Sequence, residues 1–307
     1  MDWIVGVQKA IDYIEDNLTK VIDYDTVAAQ SFSSSYHFQR VFSILCGFTM
    51  GEYIRNRRLS LAGTELATGT AKVIDVALKY GYESPDSFAK AFKQFHGILP
   101  SQARNNGSNL KSFSRLVLKF SLEGGKAMNY RIEQKPEMIL TGYKAHFTGV
   151  PYGENREKQE RNLFVTTRAK QWLLRGAKGA SDDTGTDMCL ITNIDDDGYD
   201  FYYVAELEKY ERENMYNKEV TGIECMEAFG FENITVPKQT YAIFTTENQP
   251  YPVEDYMDIR KRIVSEWLPA NDFEIAEAPE ISVYYWFPKN QKEKRYIEIW
   301  LPIEKLK

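Results

Sequence analysis

Arg40 and Lys90 occupy matching places in a pattern that the chain uses twice, 50 residues apart. The first copy reads Phe38-Gln39-Arg40-Val41-Phe42 and the second reads Phe88-Ala89-Lys90-Ala91-Phe92, and a glycine follows each. Basic side chains bind phosphate oxygens or guanine, and a glutamine can bind adenine through hydrogen bonds. A duplicated helix of this kind, preceded by a short helix and a break, predicts two helix-turn-helix modules that bind DNA.

Apolar residues at helical spacing define the buried face of each of these helices: Phe38, Val41, Phe42 and Leu45, then Phe88, Ala91, Phe92 and Phe95. The first helix is expected from about residue 36 to 45, after N-cap candidates at 33–35, and the second from 85 to 95 after a serine cap. Outward-facing residues are expected to contact DNA: Ser35, Tyr36, Gln39 and Arg40, then Pro85, Asp86, Ser87, Lys90 and Lys93. His37 is expected to point outward beside them.

These assignments have simpler alternatives. Arg40 and Lys90 would also fit ordinary solvated charges, and Tyr36 would fit a half-buried residue at a helix start. The duplication favours DNA contact for both cations. A helix over residues 50–68 would join the modules rigidly, so that both recognition helices could enter successive major grooves roughly 34 Å apart.

Residues 1 to about 107 resemble the DNA-binding domain of the AraC/XylS family of bacterial transcription regulators. The two modules carry this resemblance together with Gly51-Glu52-Tyr53-Ile54-Arg55-Asn56-Arg57-Arg58-Leu59 and Gly97-Ile98-Leu99-Pro100-Ser101-Gln102-Ala103-Arg104. It implies a double-stranded promoter as partner, RNA polymerase as a second partner, and an activator. Phe32 departs from the family, since many members have glycine at this turn. A bulky residue is strained at positive φ, so the first turn is expected either to be built differently or to shift its module.

Charge and composition agree with a chain of two domains. The net charge is −6, but residues 1–111 carry 12 Lys and Arg against 11 Asp and Glu, and the remaining residues carry 26 against 33. The acidic excess therefore belongs to the second part, and a balance of +1 in the first part predicts modest affinity for bulk DNA.

Cysteine usage and hydropathy predict a cytoplasmic protein. Cys46, Cys189 and Cys225 are isolated and the three histidines are scattered, so we expect no disulfide, metal or cofactor. We also expect no membrane partner, because the chain has neither a signal-peptide pattern nor an apolar run of spanning length.

After residue 107 the helical periodicity gives way to alternation. Strands are expected at 113–120 and 128–133 around a turn at 123–126. Two β-α-β-β halves follow, with the strands at 140–147, 188–192 and 200–204, then at 240–246, 281–287 and 296–301; the helices are expected at 155–174 and 253–268.

The expected fold is thus multidomain, with an all-α tandem helix-turn-helix domain followed by an α+β domain. The DNA-binding domain spans 1–107, a linker and first strand span 108–127, and a small-molecule (effector) binding domain spans 128–307. Its two halves would form an antiparallel sheet with both helices on one side and a groove between the halves.

A carboxylate among aromatic rings marks the end of this second domain. Alternation places Tyr296, Glu298 and Trp300 on one face of the last strand, and Tyr284 and Trp286 share a face of the strand before it. If the two strands pair, the rings could surround Glu298 and bind a lipophilic cation. The alternative is a solvated edge glutamate among half-buried rings.

The second domain resembles the GyrI-like effector-binding domains, through 120–128, Glu266-Trp267-Leu268-Pro269 and Ile297-Glu298-Ile299-Trp300-Leu301-Pro302-Ile303. The combination resembles Rob-type regulators. The resemblance implies that Glu298 contacts the effector among aromatic residues, without a catalytic role. A small-molecule hydrolase, with Glu298 and Tyr284 or Tyr296 activating water, or a drug-sequestering module remains the alternative, and a gyrase-binding role is a third.

Overall fold

A computed structural model describes residues 2–105, 107–117, 127–178, 185–214, 219 and 228–306. The described residues form two compact units. Residues up to 39 and from 48 to 117 form the first, and residues 40–47 and from 127 onward form the second.

The first unit is helical, as predicted. Its helices are α1 (Asp2–Asp16), α2 (Tyr24–Ala29), α3 (Ser35–Cys46, whose last seven residues group with the second unit), α4 (Met50–Thr68), α5 (Val73–Lys79) and α6 (Pro85–His96), followed by a 3₁₀ turn, Pro100–Arg104. Side chains cap several of these helices at their N-termini. Asp23 caps α2, Thr49 and Glu52 form a capping box on α4, and Ser84 accepts a hydrogen bond from the Ser87 N–H of α6.

The second module packs on α4 through a continuous apolar core: Leu59, Ala62, Leu66, Val76, Ala77, Tyr80, Phe88, Phe92 and Ala103. Gly63 allows the ring of His96 to approach α4, because a Cβ at Gly63 would lie 2.7 Å from that ring. The helix predicted to join the modules is therefore part of the core of the second one.

The strand predicted at 113–120 is absent over 113–117, and its remainder and the predicted turn lie outside the described residues. The backbone of this segment donates instead to side chains of the first unit. Phe113 N–H donates to Ser60 Oγ at 3.1 Å and Leu116 N–H to Tyr53 Oη at 3.1 Å. These N–H groups are consequently unavailable for strand pairing.

The second unit is built on one antiparallel sheet. Its strands are β1 (Asn129–Lys135), β2 (Met138–Thr148), β3 (Thr186–Thr192), β4 (Gly198–Glu206), β5 (Glu232–Val236), β6 (Gln239–Thr245), β7 (Phe273–Ile275), β8 (Glu280–Tyr285) and β9 (Tyr296–Lys305). The order is β1-β6-β9-β8-β3-β4-β2-β5, and β7 pairs with β9. Pairing of β3 with β8 joins the two predicted β-α-β-β halves.

The two halves also exchange one strand each. β1 precedes β2 in sequence but pairs with β6, whereas β5 precedes β6 but pairs with β2. The predicted strand at 128–133 therefore exists, and among the described strands its partner is β6.

Helices α7 (Gly153–Thr166), α8 (Arg168–Ala177) and α10 (Val253–Arg262) cover one face of the sheet, and a short helix α9 (Lys209–Asn214) follows β4. The long helix predicted at 155–174 is interrupted at Thr167. The helix predicted at 253–268 continues past α10 as a π-helical turn, Ile263–Trp267. On the opposite face of the sheet lies a second buried apolar cluster that includes Ile281, Val283 and Trp300.

Candidate functional site

Helix α6 presents its predicted DNA-contacting residues on an open surface. Pro85, Asp86, Ser87, Lys90 and Lys93 are all exposed, while Phe88 and Phe92 are buried. The serine cap and the proline in the first turn fix where this helix begins. The arrangement can offer two ammonium groups and the helix start to a nucleic acid backbone.

Helix α3 presents its residues differently. Ser35, Tyr36 and Gln39 are half-buried, and Gln39 Nε2 donates to Ser35 Oγ at 3.2 Å. The expectation that His37 and Arg40 point outward is wrong, since both side chains are buried and Arg40 is 2% exposed. Helical periodicity alone could not show the burial of Arg40, because its partner Glu280 lies 240 residues away in the sequence.

Arg40 lies in a buried ionic cluster of the second unit. Its Nη2 donates to Glu280 Oε2 at 2.7 Å, and Arg260 forms an ion pair with the other oxygen of the same carboxylate. Both guanidinium groups lie over the ring of Tyr152, at 5.4 Å and 4.5 Å from its centroid. Burial alone would raise the pKa of Glu280, but the two cations outweigh it and hold that pKa below its usual value.

The turn of the first module has the positive φ that was expected to be strained. Phe32 has a φ of 55° and is 82% exposed, and at the matching place in the second module Gly81 has a φ of 82°. The two turns are thus closed in a similar conformation despite the different residues.

The five predicted effector residues lie on two faces of the sheet. β8 pairs with β9 as predicted, but Val283 lies opposite Glu298 and Tyr284 lies opposite Ile297. Glu298, Tyr296 and Trp300 therefore share a face with Tyr285, not with Tyr284 and Trp286. The prediction that Tyr284 and Trp286 surround Glu298 is wrong by one residue of strand register.

Glu298 is 6% exposed and hydrogen bonded on both oxygens. Arg131 Nη1 lies 2.9 Å from Oε1, and Trp300 Nε1 donates to Oε2 at 2.9 Å. Tyr285 Oη lies 3.4 Å from Oε2. The carboxylate thus already has a cationic partner within the protein.

Tyr284 and Trp286 instead line a cavity of about 400 Å³ on the helix-covered face. The cavity lies where the groove between the two halves was predicted, since α7 and α8 line one side and α10 lines the other. The two rings stack with their centroids 5.8 Å apart. The ring centroid of Tyr256, on α10, lies 6.1 Å from that of Tyr284. This volume is within the range of small-molecule sites.

Helix α7 contributes charged residues that the sequence analysis missed. Arg156 and Glu160 line the cavity and pair one helical turn apart, and Tyr284 Oη donates to Glu160 Oε1 at 3.1 Å. Burial raises the pKa of Tyr284 well above its usual value, which keeps this hydroxyl a donor. An Arg and a Glu four residues apart are common on solvated helices, so their spacing gave no signal of burial.

Comparison with known proteins covers both units. Residues 27–106 match a family described as "Helix-turn-helix domain", and residues 131–303 match the family "Integron-associated effector binding protein". The transcriptional activator AarP of Providencia stuartii is 45% identical over 98 residues, which are 32% of this chain and 73% of AarP. The regulatory protein SoxS of Salmonella typhimurium is 35% identical over 99 residues, covering 32% of this chain and 92% of SoxS.

Among solved structures, SAV2435 bound to tetraphenylphosphonium is similar to 58% of this chain, over 94% of its own, with 14% identity and a TM-score of 0.42. Within the described ranges no helix is long and apolar enough to span a bilayer.

These matches and the fold define a DNA-binding transcription regulator with a separate effector-binding domain. The chain belongs to the AraC-type helix-turn-helix regulators, and its C-terminal unit belongs to the integron-associated effector binding proteins of GyrI-like fold.

Proposed function

We propose that this protein is a cytoplasmic transcription activator that binds an asymmetric promoter site and responds to a small lipophilic effector. The effector occupies the cavity between α7, α8 and α10. RNA polymerase is the second macromolecular partner. The observation that carries the proposal is this cavity, lined by stacked rings, in a chain that also has two helix-turn-helix modules.

DNA binding is assigned to the predicted residues of both recognition helices. The helices differ in sequence, so one chain would read two unlike half-sites without twofold symmetry. In α6 the assignment rests on exposed Lys90 and Lys93. In α3 it includes Ser35, Tyr36 and Gln39, and Arg40 could reach DNA only after leaving Glu280.

Effector contact is assigned to Tyr284 and Trp286, whose rings offer flat apolar surface to a ligand. Effector contact by Glu298, Tyr296 and Trp300 stays a prediction. The sheet separates these three side chains from the cavity. The hydrolase alternative requires Glu298 to activate water, although its carboxylate is paired with Arg131.

The test combines ligand binding with promoter binding by the full chain. A library of lipophilic compounds is screened by thermal shift, and each hit is added to promoter DNA selected from random duplexes and followed by fluorescence anisotropy and transcription in vitro. We expect hits that alter promoter binding or transcription, and Trp286→Ala should abolish the response.

Trp172→Ala is the matched control, because Trp172 is 73% exposed and does not line the cavity. Equal responses in the two variants would contradict the assignment of the cavity. Consumption of a hit by the wild type, measured by chromatography, would replace the sensor with an enzyme.

A further inference from the structure

Arg156 adds a buried cationic hydrogen-bond donor to the aromatic lining of the cavity. The side chain of Arg156 is 1% exposed and lines the cavity. Its Nη1 donates to the Pro151 carbonyl at 3.1 Å, and its Nε donates to Glu160 at 3.3 Å. The described residues provide no hydrogen-bond acceptor for Nη2. A buried donor without an acceptor is costly, so an acceptor brought by a ligand would be favourable here.

Glu160 does not supply that acceptor. Its Oε2 is used by Arg156 Nε, and its Oε1 accepts from Tyr284. The carboxylate is thus paired within the protein and is a poor counter-ion for a cationic ligand. Arg161 and Arg168 line the cavity together with Arg156, and the acidic lining residues are Glu157 and Glu160. The cavity lining therefore contains three cationic and two anionic side chains.

Aromatic neighbours hold the guanidinium in place. The Cζ of Arg156 lies 5.4 Å from the ring centroid of Tyr256 and 5.9 Å from that of Phe201. Such contacts stabilise a cation away from water and restrict its side chain. The remaining donor therefore belongs to a guanidinium that neighbouring rings and two hydrogen bonds already constrain.

On the basis of the proposed effector site, we infer that the effector is an aromatic or otherwise flat apolar molecule with one anionic acceptor group, such as a carboxylate. The acceptor binds Arg156 Nη2, and the apolar body packs against Tyr284 and Trp286. Arginine suits this role because its planar donors match a carboxylate.

Three probes of one shape test the inference by calorimetry with the full chain. They are biphenyl-4-carboxylate, biphenyl-4-carboxamide and biphenyl-4-yltrimethylammonium. We expect the carboxylate to bind about tenfold more tightly than the amide, and the ammonium to bind most weakly, as a charge-assisted hydrogen bond in a buried site requires. Equal binding of the carboxylate and the amide, tighter binding of the ammonium, or no binding of the carboxylate would overturn the inference.

Two substitutions locate the preference. Arg156→Gln should remove the preference of the carboxylate over the amide, and Arg156→Lys, which keeps the charge, should retain part of it. Arg161→Gln removes one cation from the cavity lining and should change the ratio by less than about threefold. A carboxylate preference that survives in a folded Arg156→Gln protein would contradict the assignment. If Arg156→Gln does not fold, Arg156→Lys decides: its preference for the carboxylate over the amide must be smaller than that of the wild type, and an undiminished preference would contradict the assignment.

The outcome is separable from that of the proposed function. Carboxylate binding that depends on Arg156 but leaves promoter binding and transcription unchanged would support the inference and refute effector control. A neutral or cationic hit that changes transcription through Trp286, without a carboxylate preference, would do the reverse.

Discussion

The two helix-turn-helix modules have a similar backbone conformation at the turn but different residues in it. In the first turn the Ser33 N–H donates to the Ala28 carbonyl at 3.4 Å, and in the second the Tyr82 N–H donates to the Ala77 carbonyl at 3.0 Å. Phe32 and Gly81 precede these donors, and both have positive φ. The module therefore imposes its turn even on a residue for which that conformation is unfavourable.

Their recognition helices differ as well. Lys90 on α6 is exposed, whereas its counterpart Arg40 is buried against Glu280. Two cations at matching sequence positions consequently start from different environments, and only one of them is free to meet a phosphate without first losing an ion pair.

The largest expected effect tests this difference in DNA binding. Lys90→Ala should weaken specific binding of the full chain by about 1–3 kcal/mol. Arg40→Ala should weaken it less, since contact of Arg40 with DNA requires breaking its pair with Glu280. Fluorescence anisotropy over a range of salt concentrations measures both losses, and loss of a phosphate contact reduces the salt dependence of binding.

Lys261→Ala is the control, because it removes one exposed cation from the second unit. A larger loss for Arg40→Ala than for Lys90→Ala, with both proteins folded by circular dichroism, would reverse the comparison of the helices.

The next effect concerns the residue with positive φ in each turn, which is substituted by glycine in the first turn and by alanine in the second. Phe32→Gly should stabilise the first module by about 1 kcal/mol, because relief of left-handed strain exceeds the entropic cost of glycine at an exposed site. Gly81→Ala should destabilise the second by about 1–2 kcal/mol, since its φ is positive and its Cβ would lie 2.8 Å from Arg58 Nη1. Arg58 cannot withdraw easily, as it donates to the Leu18 and Lys20 carbonyls.

Hydrogen exchange followed by mass spectrometry reports these changes locally. Slower exchange is expected over residues 24–46 in Phe32→Gly and faster exchange over 73–96 in Gly81→Ala. Faster exchange in Phe32→Gly would mean that the phenyl ring stabilises its turn.

Local patterns predicted most of the helices and strands, because helical and alternating periodicities are properties of short segments. The exchange of β1 and β5 between the halves was missed, since strand order depends on pairing between segments distant in sequence. The strand expected at 113–120 is absent over 113–117 for the same reason. Its alternation is real, but Ser60 and Tyr53 take its donors.

The candidate site was predictable in type but not in placement. Alternation correctly placed Tyr284 and Trp286 on one face. Which face meets Glu298 depends on a register that shifts with a single residue. Burial of Arg40 depends on Glu280, 240 residues away in the sequence, and burial of Arg156 depends on rings from other elements.

The smallest expected effect concerns acid sensitivity, where His96 ends α6 and Cys46 holds the matching place in α3. His96 Nε2 donates to the Leu59 carbonyl at 2.9 Å and Nδ1 accepts from the Lys111 N–H at 3.1 Å, so a second proton would break the latter bond. Burial lowers the pKa of His96 below its usual 6.5, while burial raises the pKa of the Cys46 thiol to about 12.

The unfolded chain therefore binds the His96 proton more readily than the folded chain. Stability from this group is complete above pH 6.5 and falls as the pH drops through 6.5 toward the folded pKa. Thermal unfolding between pH 8 and pH 5.5 should show this loss in the wild type and a smaller loss in His96→Gln, and an NMR titration should place the pKa of His96 below 6.5. A pKa at or above 6.5, or equal pH dependence in the two proteins, would show that the second module is no more acid-sensitive than the first.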